Sequence, residues 1–247
     1  MCKGRSAWRA GPSVGGKSIA FAAVPADVHP VRRFLPLLLA AFSVALSACA
    51  TKVGAPIRVA CLGDSITEAA NLKEDTYPAQ LGRLLGPGYD VRNFGKSGAT
   101  LLDAGDKPYR QQPEFAAALE FRPQVVVIAL GTNDSKPQNW RFRDQFARDY
   151  ASLIARFRAL PTAPRIYICQ PMPAWPPSGW AISPEVIEHE LRPLLAEIAR
   201  QEQAGLIDMF TPMRDHHDFT PDHVHPDARG AAILAQTVAE ALRDRKQ

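Results

Sequence analysis

Four short polar stretches of this chain carry side chains able to act together on an ester carbonyl: Gly63-Asp64-Ser65, Asn93-Phe94-Gly95, Gly131-Thr132-Asn133 and Asp222-His223-Val224-His225. Acyl transfer needs a nucleophile, a base within hydrogen-bond reach, a group that orients the base, and donors aimed at the developing oxyanion. Ser65 would attack. His225 would take its proton and return it to the leaving alcohol. Asp222, three residues earlier, would hold the imidazole tautomer and stabilise the imidazolium. The oxyanion would be bound by the backbone N–H groups of Ser65 and Gly95 and by the side-chain amide of Asn133. Any one of these stretches alone is ordinary loop chemistry, since Gly-Asp-Ser turns are common, so the elements between them must decide whether they meet.

Those elements read as an α/β domain. Residues 57–62 form a nearly unbroken apolar run stopped by a glycine, the pattern of a strand buried on both faces. Further strands are expected at 89–94, 125–130, 165–169 and 206–209, the third being the most β-branched and hence central. Between them lie helical patterns at 77–85, 113–121, 140–160 and 184–203, and a last helix at 229–243 capped by Asp227. Strands alternating with amphipathic helices imply a parallel sheet. The candidate residues all fall just past strand ends, on the rim where such sheets open a ligand crevice. No repeat or low-complexity linker interrupts the chain from residue 55 to 243, so one catalytic domain is expected at 56–243, after a short tether at 49–55.

The first 48 residues differ in kind. Arg32-Arg33, an apolar run to Ala45 and small residues before Cys49 give the charged, apolar and cleavage regions of a secretory signal peptide. The run is too short to span a membrane. Leu46-Ser47-Ala48-Cys49 resembles the lipobox of bacterial lipoproteins, which implies acylation of Cys49, a membrane anchor through it, and a location on the periplasmic side of the cell envelope, at the outer membrane where the host has one. The long stretch before Arg32 leaves two alternatives open, an extended leader or a start near Val28 or Val31. Gly11 to Ser18 matches the spacing of a phosphate-binding loop, but no strand precedes it and Pro25 leaves little room for the helix such a loop must open. Removing the six basic residues and one acid of this segment leaves 23 of the 29 bases and 24 of the 25 acids, so the formal +4 becomes about −1. No basic block interleaved with aromatics remains, so a nucleic-acid-binding role has no support and none is expected.

Gly63-Asp64-Ser65-Ile66-Thr67, Asn93-Phe94-Gly95-Lys96-Ser97-Gly98, Gly131-Thr132-Asn133-Asp134 and Asp222-His223-Val224-His225-Pro226 resemble, in order, the four blocks of the SGNH or GDSL hydrolase superfamily. The resemblance covers residues 57–243. It implies a three-layer α/β/α sandwich with a five-stranded parallel sheet in the flavodoxin-like order 2-1-3-4-5, and it carries the family's Ser, Gly, Asn and His onto Ser65, Gly95, Asn133 and His225, with Asp222 as triad acid. The chain departs from the family where a glycine usually follows that Asp; here it is His223, a bulky group expected at the mouth. The implied strand order sets Cys61 and Cys169 two strands apart, ~9.6 Å and beyond disulfide reach.

The segment from Gly131 to Trp140 is similar to the sugar O-acetylesterase branch, including sialate O-acetylesterase-like and acetylxylan-esterase-like members. A lysophospholipase or thioesterase-like esterase is the alternative, and a binding or structural lipoprotein keeping the fold is the non-enzyme alternative. Trp140, Trp175 and Trp180 are expected to border the crevice and stack on sugar rings, with Glu68, Asn71, Lys73, Lys136 and Gln138 as a polar lining. Asp64 and Asp134 read as structural acceptors, and His189 and Glu190 as solvated. His216, His217, Asp218, Asp222, His223 and His225 match no common zinc spacing, so no metal and no cofactor is expected. The partner is a small-molecule or glycan ester; the oligomeric state is left open.

Overall fold

The computed structural model describes residues 54–178 and 180–244, together with Ala20, Ala22 and Ala23. The expected signal peptide, the Leu46 to Cys49 motif and the glycine-rich 11–18 stretch lie outside the described residues, apart from those three alanines. Within the unit formed by residues 52–247, five strands make one sheet: β1 (Ile57–Gly63), β2 (Tyr89–Gly95), β3 (Val125–Ala129), β4 (Arg165–Gln170) and β5 (Gly205–Asp208). All neighbours pair in parallel, in the order β2-β1-β3-β4-β5. Gly63 lies opposite both Gly95 and Ala129, so the carboxyl ends of β2, β1 and β3 finish level. The order reverses between β1 and β3, and that is where a crevice opens in such sheets.

Period-two alternation sends side chains to two separate cores. Ala60 and Leu62 of β1, Val126 and Ile128 of β3, and Ile166 and Ile168 of β4 face one core. Their neighbours Val59, Cys61, Val125, Val127, Tyr167 and Cys169 face the other. The first core is covered by α3 (Pro113–Glu120), α5 (Phe146–Arg158) and α6 (Arg192–Gln201); the second by α2 (Tyr77–Leu85) and α7 (Ala228–Arg243). In α7, Ala231, Leu234, Ala235, Val238, Ala239 and Leu242 form a buried stripe at helical spacing, and each of its larger side chains contributes about 1.5–3 kcal/mol by leaving water. Asp227 caps this helix, accepting from Arg229 N and Gly230 N. Cys61 and Cys169 are both buried and unpaired, and burial pushes the Cys61 thiol up to about 12.

Two expected helices differ in detail. The 140–160 pattern is broken into α4 (Pro137–Trp140), a 3-10 turn at Arg143–Gln145, and α5. Asn139 explains the break: its amide donates to Asn133 O at 2.9 Å and to Asp106 Oδ1 at 3.0 Å, so α4 is held to the loop after β3 instead of continuing the α5 stripe. The 184–203 pattern is a π-turn at Val186–Leu191 followed by α6. Pro193, one residue into α6, has no N–H to continue the ladder, and Arg192 N bonds back to Ile187 O, five residues earlier.

Candidate active site

The turn after β1 is fixed by contacts that leave little freedom. A side chain on Gly63 would overlap Thr67 Oγ1 and lie 2.8 Å from Ala129 O, so only glycine lets β1 end against β3 here. Asp64 is 1% exposed and its Oδ1 accepts from Ile66 N at 2.9 Å, capping the short helix α1 (Ser65–Glu68). Burial pushes the Asp64 carboxyl up to about 6, opposed by the Ile66 N–H and by nearby His225. Ser65 is therefore the first residue of a helix, and its backbone N–H has no acceptor among the described residues.

His225 arrives from the loop before α7. Its Nε2 stands 2.8 Å from Ser65 Oγ, and its Nδ1 stands 2.6 Å from Asp222 Oδ2. The other oxygen of Asp222 accepts from His225 N at 2.7 Å and Val224 N at 3.1 Å, so a single carboxylate folds the three-residue span and aims the ring. Burial would raise the Asp222 carboxyl, but these donors and the adjacent imidazole hold it below the usual carboxylate range. Asp222 is thus an anion facing Nδ1, which places the proton there and leaves the lone pair of Nε2 toward the serine hydroxyl.

His223 occupies the left-handed region at φ 70°, a conformation that costs a residue with a side chain about 1–2 kcal/mol and explains a glycine preference at this place. Its ring does not stand at the mouth of the crevice. It packs edge-on against His217 at 4.8 Å between centroids and is not part of the cavity lining to which Val224 and His225 belong.

Gly95 requires a correction. Its N–H is donated to Asn93 Oδ1 at 2.9 Å, and a Cβ there would overlap Glu68 N and lie 2.8 Å from Thr67 C. Gly95 lets β2 approach the backbone of α1; it does not face the crevice. The glycine on the cavity wall is Gly98, three residues on, at φ 79° and with an N–H that finds no acceptor among the described residues. Its loop is pinned on both sides. The Glu68 carboxylate accepts from Ser97 N at 2.7 Å and from Ser97 Oγ, while Asp134 Oδ2 and Oδ1 accept from Leu101 N and Leu102 N at 2.9 and 2.8 Å. Asp134 is fully buried, and that burial pushes its carboxyl up to about 7. Asn133 is 5% exposed and lines the same wall; its Nδ2 donates one hydrogen to Ala99 O at 3.2 Å, leaving the second directed elsewhere.

These groups enclose a cavity of about 350 Å³ lined by Ser65, Ser97, Gly98, Thr132, Asn133, Lys136, Trp180, Ile182, Val224 and His225. Of the three tryptophans expected at its border, Trp180 alone is there, 55% exposed and edge-on to the His225 ring at 5.6 Å. Trp140 is 6% exposed in the core, its Nε1 donating to Glu190 Oε2 at 2.8 Å, so Glu190 is engaged rather than only solvated. Trp175 packs against the second core and beside His217 at 5.1 Å. Of the expected polar lining only Lys136 reaches the cavity; Glu68 is occupied with Ser97, and Gln138 with Asp106. Ile182 carries no signal in the sequence, and Thr132 and Val224 are marked there only as neighbours of Asn133 and His225 in their blocks. A larger hollow of about 560 Å³ lies at the opposite end of β4 and β5, lined by Arg158, Arg165, Tyr167 and Gln203, and holds no candidate nucleophile.

The fold is that of the SGNH hydrolases. Residues 61–233 match the GDSL-like lipase/acylhydrolase family, and the chain belongs to it. An acetylxylan esterase from Xylanibacter ruminicola is 39% identical over 208 residues, 76% of this chain and 43% of that protein, so the chain spans less than half the length of this relative. Among solved structures, a carbohydrate acetylesterase from Sinorhizobium meliloti superimposes with a TM-score of 0.60 at 21% identity, covering 75% of this chain and 98% of that one. An aryl esterase from M. smegmatis gives a TM-score of 0.60 at 21% identity over 76% and 98%. At these identities the two structures speak for the fold.

Proposed function

We propose that this chain is a serine ester hydrolase that removes acetyl groups from O-acetylated carbohydrates through an acyl-enzyme on Ser65. The observation that carries the reading is the unbroken hydrogen-bonded line from Asp222 through His225 to Ser65, 2.6 and 2.8 Å, opening on a cavity with unspent donors. His225 takes the Ser65 proton as Oγ attacks the carbonyl carbon. The oxyanion is received by the N–H groups of Ser65 and Gly98 and by Asn133 Nδ2. The C–O bond of the ester breaks as His225 returns the proton to the leaving alcohol, and a water activated by the same ring then releases acetate and free Ser65.

Support for acetyl over long chains comes from the cavity's size, near the lower end of the ~300–1,000 Å³ common for small-molecule sites, and from its bounding by Ile182 and Val224 beside the reacting atoms. Similarity to the Xylanibacter acetylxylan esterase supports the same choice. Trp180 offers the exposed ring face suited to a sugar. The experiment is a comparison of kcat/KM on acetyl, butyryl and octanoyl p-nitrophenyl esters and on an O-acetylated xyloside. A steep fall with chain length and turnover of the xyloside are expected; faster hydrolysis of octanoyl esters or of lysophospholipid would install a lipolytic function instead.

The lipobox-like Leu46 to Cys49 supports an exported, lipid-anchored protein. Cys49→Ser is expected to abolish the acyl mass addition and release the domain; an intact mass that begins upstream of Cys49 would refute the anchor.

A further inference from the structure

The cavity wall carries one lysine, and no described residue pairs with it. Lys136 is half-buried beside Asn133, and its ammonium makes no ion pair or hydrogen bond among the described residues. Its backbone is held firmly. The carbonyl accepts from Asn139 N and Trp140 N at 2.9 and 2.8 Å, and Pro137 follows at the start of α4. Three carboxylates on the loops of this end of the sheet have other partners: Glu68 pairs with Ser97, Asp106 with Asn139 and Gln138, and Asp222 with His225. A second cation, Lys107, lies next to Gly98 and Ser97 without joining the cavity lining, its Cδ 3.6 Å from where a Gly98 Cβ would stand and its Nζ donating to Ser97 O at 2.8 Å. Among the described residues the cavity lining thus holds one ammonium with no partner of its own. A half-exposed ammonium with no such partner is open to an anionic group on a ligand.

We propose that Lys136 selects O-acetylated acidic sugars, its ammonium pairing with the sugar's carboxylate while the acetyl ester faces Ser65 and the ring lies against Trp180. This rests on the carbohydrate esterase reading above and narrows its substrate class to uronic-acid-like residues. A lysine suits this task because it acts as a compact point charge on a flexible stem and does not demand a bidentate approach.

The test uses two substrates that differ only at one carbon: a mono-O-acetylated methyl glucuronoside and the matching methyl glucoside, with p-nitrophenyl acetate alongside. The wild-type protein is expected to favour the glucuronoside in kcat/KM by about tenfold, equivalent to about 1.4 kcal/mol, and to lose part of that preference as ionic strength rises. Lys136→Met is expected to bring the ratio near one, and Lys136→Arg to keep most of it, so that a folding defect cannot imitate the result. A wild-type ratio near one, or a high ratio that survives in Lys136→Met, would overturn the inference while leaving the acetylesterase reading intact. Turnover of p-nitrophenyl acetate with neither sugar hydrolysed would instead overturn the carbohydrate reading, and this inference with it.

Discussion

Gly95→Ala and Gly98→Ala separate a glycine that lets two backbones touch from a glycine that presents a donor. At Gly95 the added methyl would overlap Glu68 N and sit 2.8 Å from Glu68 Cα and Thr67 C. These are main-chain atoms of α1, so no flexible side chain can swing away. Overpacking of this kind costs about 1–3 kcal/mol, and a backbone obstruction belongs at the upper end. At about 2–4 °C per kcal/mol for a domain of this size, Gly95→Ala should lower Tm by about 6–12 °C. At Gly98 the nearest atom to the added methyl is Lys107 Cδ at 3.6 Å, an ordinary contact. The penalty there is the left-handed backbone, φ 79°, at about 1–2 kcal/mol. The assay is a thermal melt of each variant followed by kcat on p-nitrophenyl acetate below both transitions. Gly98→Ala should show the smaller Tm change and a clear fall in kcat, because the left-handed backbone an alanine resists is the one that aims an N–H at the oxyanion. A native Tm for Gly95→Ala, or unchanged kcat for Gly98→Ala, would refute the assignment of the two roles.

The same geometry gives three further outcomes. Trp140→Ala empties a core position and loses an indole bond to Glu190, so a stability loss of about 3–5 kcal/mol is expected by chemical denaturation, whereas Trp180→Ala should stay within about 0.5 kcal/mol of the parent while kcat/KM on an acetylated sugar falls; the reverse ranking would contradict the placement of the two rings. The Asp64 carboxyl titrates near 6 in the folded chain against an ordinary 3.8, so its stabilising contribution is complete below the lower value and is lost as pH rises through the upper one. Asp64→Asn keeps the acceptor for Ile66 N and removes this step, so melts between about pH 3 and about pH 7, which bracket the two values, should show a flatter dependence, and an unaltered slope would count against a buried, titrating Asp64. Asn133→Ala should lower kcat by roughly 10²- to 10³-fold with little change in KM; an effect confined to KM would make it a ground-state contact.

Much of the fold was legible because the pattern of the strands is carried by composition. Buried parallel strands read as β-branched runs, and the alternation of Val125 to Ile128 between two cores needs no partner to be seen. The cap of the last helix was also legible, since Asp227 announces it by residue type and position, whereas Asp64 reads only as a turn acceptor and its helix emerges from the fold. Spacing is blind to direction, and the differences lie there. Asn93-Phe94-Gly95-Lys96-Ser97-Gly98 offers two glycines, and only the packing of α1 on β2 shows that the first is spent on a backbone approach and the second faces the crevice. Trp140 lies close to Asn133 in sequence, but α4 turns its ring inward to meet Glu190, fifty residues away. Lys136 reads in the sequence as one of several polar groups; that its ammonium lacks a partner appears only when the neighbouring carboxylates are seen to be engaged.

The central claim is that Ser65 is a nucleophile activated by His225. Intact and peptide mass spectrometry after exposure to a serine-directed phosphonate tests it most directly. The account predicts a single stoichiometric adduct on Ser65, formed much more slowly in His225→Ala and absent from Ser65→Ala, with Ser65→Ala, His225→Ala and the double variant losing similar amounts of kcat because the two side chains act as one unit. An adduct on another residue, or substantial esterase activity in a well-folded Ser65→Ala protein, would contradict it.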